Sequence, residues 1–290
     1  MSLSLPNEFS YNLCLEFLKR SPKELLHTID GDAVIKALRI DNVVVIIRIS
    51  HKNNKLLIEF LNPDTPVSAR AAVKDYLTEW FDLETDLKPF YAMARKDKLL
   101  KPLVRNHFGY RIIGQPDLFE SLVWAVLGQQ INLGFAYTLK QRFVEKFGER
   151  ITLKESPHYL FPSPSRVAAL TDDDLLPLQF SRQKSRYTVG IAQAFAEGTI
   201  SKQHLTGLPL AEAKAKLMAI KGIGNWTANY ALMKTFRYPD AFPLEDAGLH
   251  NALKNCLRLK SKPSRERVKR IFRKYKGWEA YATLYLWKSL

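Results

Sequence analysis

The sequence predicts an α+β protein, a small antiparallel-sheet N-terminal domain followed by a mainly α-helical, two-lobed core. Three observations carry this. The only convincing strands lie in the first hundred residues, where Val and Ile are dense; from about residue 112 the apolar residues recur at helical spacing between short breakers; and the excess positive charge is confined to the downstream part. Residues 1–100 hold 14 Lys/Arg against 14 Asp/Glu, whereas residues 101–290 hold 30 against 15. A neutral region beside a basic one is the footprint of a polyanion binder, although a solvated basic surface has the same composition.

Each element follows from local chemistry. Ala33 to Ile49 reads as a strand and Lys55 to Leu61 as its antiparallel partner, with His51-Lys52-Asn53-Asn54 as the turn. Val67 to Phe81 places Val67, Ala71, Val73, Tyr76, Leu77, Trp80 and Phe81 at mostly helical spacing, which lays one face on that sheet. Asp117, after Gln115-Pro116, is an N-cap with Glu120 as its capping-box partner. Pro162-Ser163-Pro164, Gly207-Leu208-Pro209, Asp240 to Leu244 and Pro263-Ser264 separate the later helices. The expected division is 1–111 for the α+β domain and 112–290 for the helical core.

At 290 residues and 46% apolar, the chain is long enough to bury a core without staples. Two cysteines, Cys14 and Cys256, exclude a disulfide framework, a cysteine-ligated zinc site and a four-cysteine iron–sulfur cluster within one chain. The scattered histidines offer no paired metal motif. No stretch approaches the roughly 18 uninterrupted apolar residues of a membrane span, and Met1 to Ser10 lacks a signal-peptide run. A soluble cytoplasmic monomer with no membrane partner is expected.

The most informative segment is Leu210 to Tyr230. An Ala/Lys-rich amphipathic helix runs into Lys221-Gly222-Ile223-Gly224, and a second helix opens at Asn225-Trp226-Thr227; the helical hairpin spans about 210–235. Glycine takes positive φ without steric cost, so the chain reverses in one tight turn while Ile223 fills the gap between the helices. Outward amides and the positive end of the second helix then suit a phosphate. An ordinary helical hairpin has the same spacing. Phe242-Pro243-Leu244-Glu245-Asp246 follows in a break between helices and ends in two acids, the second 22 residues after Gly224. Such an acid serves either as a helix cap or as a catalytic group.

Taken together, the hairpin, the Pro-containing loop and the acid resemble the helix–hairpin–helix (HhH-GPD) superfamily of DNA base-excision glycosylases. Leu118 to Gly148, Gly222 to Tyr230, Phe242 to Asp246 and Tyr281 to Trp287 are similar, within it, to DNA-3-methyladenine glycosylase II. The resemblance implies the catalytic carboxylate at Asp246, with Glu245 as a non-catalytic neighbour. It implies a hairpin, Gly222, Ile223, Gly224 and Thr227, that grips DNA, with Gln129 and Gln130 at the duplex and Gln130 as the wedge. Trp226, Tyr230 and Trp287 would line a pocket for the flipped base. Met218, Ile220 and Ile223 would hold a structural monovalent cation through their carbonyls; no cofactor is implied for catalysis.

Trp226 stands where lyase-competent relatives carry a nucleophilic lysine, and an indole cannot form a Schiff base. The implied activity is monofunctional hydrolysis of the N-glycosidic bond of alkylated purines (the 3-methyladenine and 7-methylguanine class) by base flipping, on duplex DNA containing such bases. Each feature also has a plainer role: the aromatic residues as core, the glutamines as helix-surface polarity, the basic stretch Lys254 to Lys276 as a solvated face. A non-catalytic DNA-structure-binding module and a bifunctional oxidised-purine glycosylase/lyase are the alternatives.

Overall fold

The computed structural model describes residues 1–62 and 65–290. Its N-terminal part comprises β1 (Ser2–Ser4), α1 (Tyr11–Leu18), β2 (Thr28–Asp30), β3 (Ala33–Ile40), β4 (Val43–Lys52), β5 (Lys55–Phe60) and α2 (Val67–Trp80). The strands form one antiparallel sheet in the order β1-β5-β4-β3-β2. The Val/Ile-rich stretch expected as a single strand is therefore a hairpin. Asp41 takes the left-handed conformation at φ 50°, which a short polar side chain tolerates, and the chain reverses so that Ile40 pairs with Val43. Edge strands β1 and β2 are three residues long and carry no periodic signal.

Burial explains why β4 does not alternate. Val45, Ile47 and Ile49 join Val73, Leu77 and Trp80 of α2 in one core, while Ile46 turns to the opposite face, where Leu160 packs against it. On α2 the packed positions are Ala69, Val73, Leu77 and Trp80, and Val67, expected on that face, is 80% exposed.

The remainder runs through α3 (Lys88–Ala94), α4 (Leu100–Asn106), α5 (Leu118–Gly128), α6 (Leu133–Phe147), β6 (Glu149–Leu153), β7 (Ser156–Leu160), α7 (Pro164–Ala168), α8 (Asp172–Leu175), α9 (Arg182–Ala196), α10 (Leu210–Met218), α11 (Asn225–Ala231), α12 (Ala247–Cys256), α13 (Arg265–Phe272) and α14 (Glu279–Trp287). The β6–β7 hairpin interrupts the helices and covers the open face of β3. Its turn, Lys154-Glu155, takes positive φ without glycine, so no turn signal marks it.

α5 is buried from Leu118 through Leu127 at every position but Glu120 and forms the spine of the helical core, with α6, α9 and α11 packed on it. Asp117 caps it by accepting the Glu120 amide, but the Glu120 carboxylate turns to Lys140 and does not close the expected capping box. α3 and α4 side with the last helices: α14 packs on α4 and α12, and the hydroxyls of Tyr91 and Tyr285 meet at 2.6 Å. Two helix groups result, α5–α11 and α3–α4 with α12–α14. Among the described residues no helix is long and apolar enough to cross a membrane.

Candidate active site

Asp246 stands at the N-cap of α12, and its carboxylate receives three donors. Oδ1 accepts the Leu249 amide at 2.7 Å and the Trp287 indole N–H at 2.8 Å, while Oδ2 accepts the Trp226 indole N–H at 3.0 Å. Capping accounts for the first of these alone. The two indoles come from α11 and α14, so the acid lies where the two helix groups meet. Gly248 keeps the space open: a Cβ there would stand 3.0 Å from Asp246 Oδ1 and 3.3 Å from the Trp287 ring.

Glu245 is committed elsewhere. Its two oxygens accept the Asn225 side-chain amide at 3.1 and 2.9 Å. Asn229 donates to Asn225 and accepts the Phe242 amide, so a chain of amide side chains ties the Phe242–Asp246 loop to α11.

Trp226 and Tyr230, one turn apart on α11, stack at 5.4 Å and 29°, and Trp287 tilts toward Tyr230 at 6.5 Å. All three are half-buried, forming a wall beside Asp246 that is open enough to meet a ligand. The Tyr230 hydroxyl accepts the Trp124 indole N–H at 3.0 Å, and burial raises its phenol above the ordinary value, which keeps it neutral.

Gly222 fits the hairpin for two reasons. Its φ is 98°, and a Cβ would fall 2.3 Å from the Tyr187 ring on α9. Gly224 departs from expectation: its φ of −86° suits any residue, and what its missing side chain supplies is open space at the exposed, side-chain-uncapped start of α11. Ile223 fills the interhelical gap at 4% exposure. Gln129 and Thr227 are also differently employed. The Gln129 amide donates to buried Thr227 Oγ1 at 3.0 Å and to the Gly222 carbonyl at 3.3 Å, so these side chains brace the hairpin against the end of α5 and do not face outward. Gln130 is exposed and held at φ 58°, a conformation unfavourable for a residue with a Cβ.

Lys184, on α9, carries no sequence signal, because a lysine in the first turn of an amphipathic helix reads as solvated charge. It is nearly buried, and its ammonium donates to the carbonyls of Val126, Leu127 and Gln129 at 2.9, 2.7 and 2.7 Å. The end of α5, from which Gln130 projects, is thereby capped from below. Burial pushes the Lys184 ammonium down to about 8.

The carbonyls of Met218 and Ile223 receive no backbone amide among the described residues, and that of Ile220 accepts only the Ile223 amide, at 3.1 Å. Among the described residues no cluster of His, Cys, Asp or Glu could hold a metal ion, so a cation here would rest on main-chain oxygens alone. Between Lys254 and Lys276 most basic side chains are exposed, and Lys274 pairs with Asp97.

A carboxylate fixed at the foot of an aromatic wall, beside a helical hairpin, defines a base-excision glycosylase architecture. The chain belongs to the HhH-GPD superfamily of base excision DNA repair proteins, whose family model matches residues 123–277; the N-terminal domain model of 8-oxoguanine DNA glycosylase matches residues 27–122. It is 42% identical over 291 residues to DNA-3-methyladenine glycosylase of Bacillus subtilis (strain 168), covering 99% of this chain and 96% of the relative. It is 30% identical over 223 residues to DNA-3-methyladenine glycosylase 2 of Escherichia coli (strain K12), covering 77% and 72%. A 3-methyladenine DNA-glycosylase from Archaeoglobus fulgidus shares the fold, with a TM-score of 0.86 at 22% identity over 99% of this chain and 97% of that one.

Proposed function

We propose that this protein is a monofunctional DNA glycosylase that releases N3- and N7-alkylated purines, the 3-methyladenine and 7-methylguanine class, from duplex DNA, with Asp246 as its catalytic carboxylate. The observation that carries the proposal is the Asp246 carboxylate held by the Trp226 and Trp287 indoles at the edge of the wall they form with Tyr230. The near-full-length likeness to an enzyme named for 3-methyladenine supports the substrate class.

The chemistry follows from charge. Alkylation at N3 or N7 makes the purine cationic, and aromatic faces attract such a base by about 0.5–2 kcal/mol per good contact. The base is a good leaving group without a general acid. As the C1′–N bond breaks, its electron pair departs with the base and neutralises it, while the sugar becomes positive; an ionised Asp246 faces that charge. Water then bonds to C1′ and loses a proton, leaving an abasic sugar in an intact strand. Scission needs an amine nucleophile, and the indole of Trp226 cannot provide one. Lys221 lines a groove along α9 with Arg182, Arg186 and Tyr187, and none of the residues holding Asp246 borders that groove.

Flipping a base from the duplex requires grip and a filler. The amides at Gly222 to Gly224 and the start of α11 would bind phosphate without reading sequence, and the cation at Met218, Ile220 and Ile223 would stiffen that turn. Gln130 would fill the vacated stack, and the basic residues of 254–276 would add phosphate contacts. The test is base release from methylated duplex DNA by the wild type and Asp246→Asn. Release without strand scission or a borohydride-trapped adduct is expected, with a loss of at least about 100-fold in the variant and retained DNA affinity. Unchanged release by Asp246→Asn would overturn the proposal.

A further inference from the structure

Tyr230 also borders a cavity of about 50 Å³ between the sheet domain and the helical core, together with Phe17, Arg20, Gln115, Tyr137 and Lys234. Asp246, Trp226 and Trp287 do not reach it. The space is too small for a nucleotide and admits a water or two or a monatomic ion. Its charges fall into two groups. In the first, Lys140 lies between Glu24 at 3.0 Å and Glu120 at 3.2 Å, and the same two acids act on Lys36, whose ammonium donates to the Leu26 carbonyl at 3.0 Å. In the second, Arg20 and Lys234 gather on one ring, the guanidinium 3.8 Å and the ammonium 4.8 Å from the centre of Phe17, and neither has a carboxylate partner among the described residues.

Around this second group donors are in surplus. Arg20 uses its Nε on the Tyr137 hydroxyl and Lys234 donates to the Ile113 carbonyl, which leaves each with further N–H groups. The hydroxyls of Tyr137 and Tyr230 accept, from Arg20 and from the Trp124 indole, and their own protons have no acceptor among the described residues. The buried Gln115 Oε1 is an acceptor without a partner, and its amide presents N–H instead when turned over. Lys234 is 3% exposed, and a buried ammonium beside a second cation is costly unless an opposite charge joins them. Burial pushes its ammonium well below the ordinary range, and Arg20 adds to the effect.

We propose that this cavity binds a monovalent anion of chloride size, held by Lys234 and Arg20, with the Tyr137 and Tyr230 hydroxyls completing its shell. Such an ion supplies the missing charge, accepts from donors that otherwise go unused and fits the volume. It also steadies Tyr230, whose ring stacks on Trp226, without touching a base. The assignment stands apart from the reaction proposed for that aromatic wall.

The test is thermal unfolding of the wild type, Lys234→Met and Arg20→Met across a chloride series, with sodium gluconate, an anion too large for the cavity, holding the ionic strength constant. A ligand bound by the folded chain alone raises the melting temperature with the logarithm of its concentration, by about 2 °C per tenfold for a chain of this size once the site fills. The wild type is expected to show that rise. Lys234→Met, which keeps the apolar stem and removes the unpaired charge, is expected to fold and to lose it; Arg20→Met, at an exposed position, is expected to need about tenfold more chloride. In crystals soaked in bromide, anomalous scattering is expected to place one bromide between Lys234 and Arg20. A wild type indifferent to chloride, equal responses in all three proteins, or a cavity that holds only water in the bromide crystals would overturn the assignment. Should Lys234→Met fail to fold, the Arg20→Met series and the bromide position decide it.

Discussion

A methyl group at residue 248 would stand 3.0 Å from Asp246 Oδ1 and 3.3 Å from the Trp287 ring, inside ordinary contact distance. The carboxylate and the indole would have to separate, although α12 itself would gain about 1 kcal/mol of helix propensity from the exchange. Gly248→Ala is therefore expected to leave the melting temperature nearly unchanged and to slow single-turnover base release by about 10- to 100-fold, since small misplacements of a catalytic group are costly. Wild-type rates in this variant would show that the Asp246–Trp287 contact is dispensable. Asp246 and Trp287 are legible in the sequence because they recur in a recognisable motif. Gly248 is not, because the clash it avoids involves α14, which lies 39 positions away in the chain (287 − 248). The roles of Gln129 and Thr227 escape for a related reason: a polar residue read alone looks available, and only the fold shows that these two bond to each other.

Among the elements, α9 supports both parts that would touch DNA. Its Lys184 holds the carbonyl end of α5, from which Gln130 projects, and its Tyr187 ring occupies the space that Gly222 leaves empty. The hairpin and the loop that carries Gln130 therefore share one platform. Lys184→Met keeps the length and apolar stem of the side chain but leaves three carbonyls without their donor, and is expected to destabilise by about 2–3 kcal/mol in urea unfolding. A 2-aminopurine opposite or beside the lesion should also report slower or incomplete flipping. Full flipping rates together with reduced stability would restrict Lys184 to holding the fold. Half of the fourteen α-helix starts could be read locally, since Ser10, Asp117, Asn132, Ser163, Ser181, Asp246 and Ser264 each accept a first-turn amide. The β3–β4 and β6–β7 turns could not, because Asp41, Lys154 and Glu155 take positive φ where a glycine would have announced it.

At the scale of the whole molecule, the sheet domain is fastened to the helical core by charges far apart in the sequence. Lys140 of α6 sits between Glu24, in the loop after α1, and Glu120 of α5, all largely out of solvent. Composition cannot foretell such a junction, because each residue belongs to a segment that is charged anyway. Its pH dependence can be worked out. Burial pushes the Glu24 carboxyl up, but Lys140 and the Leu26 amide outweigh it and hold the group at about 2. His27, beside it, donates to the Leu18 carbonyl at 3.0 Å, and burial lowers its imidazole to about 4, with Glu24 only partly opposing. Both groups are thus less basic in the folded chain than in the unfolded one, which takes up protons first as the pH falls. The His27 contribution is complete above about 6.5 and is lost between there and 4; that of Glu24 is lost between about 4.5 and 2. For His27 the sum is on the order of 3 kcal/mol. Urea midpoints are accordingly expected to fall from pH 6.5 to 4 in the wild type and to change much less in His27→Gln, whose amide can still donate to Leu18. Parallel curves for the two proteins would place the acid sensitivity elsewhere than this junction.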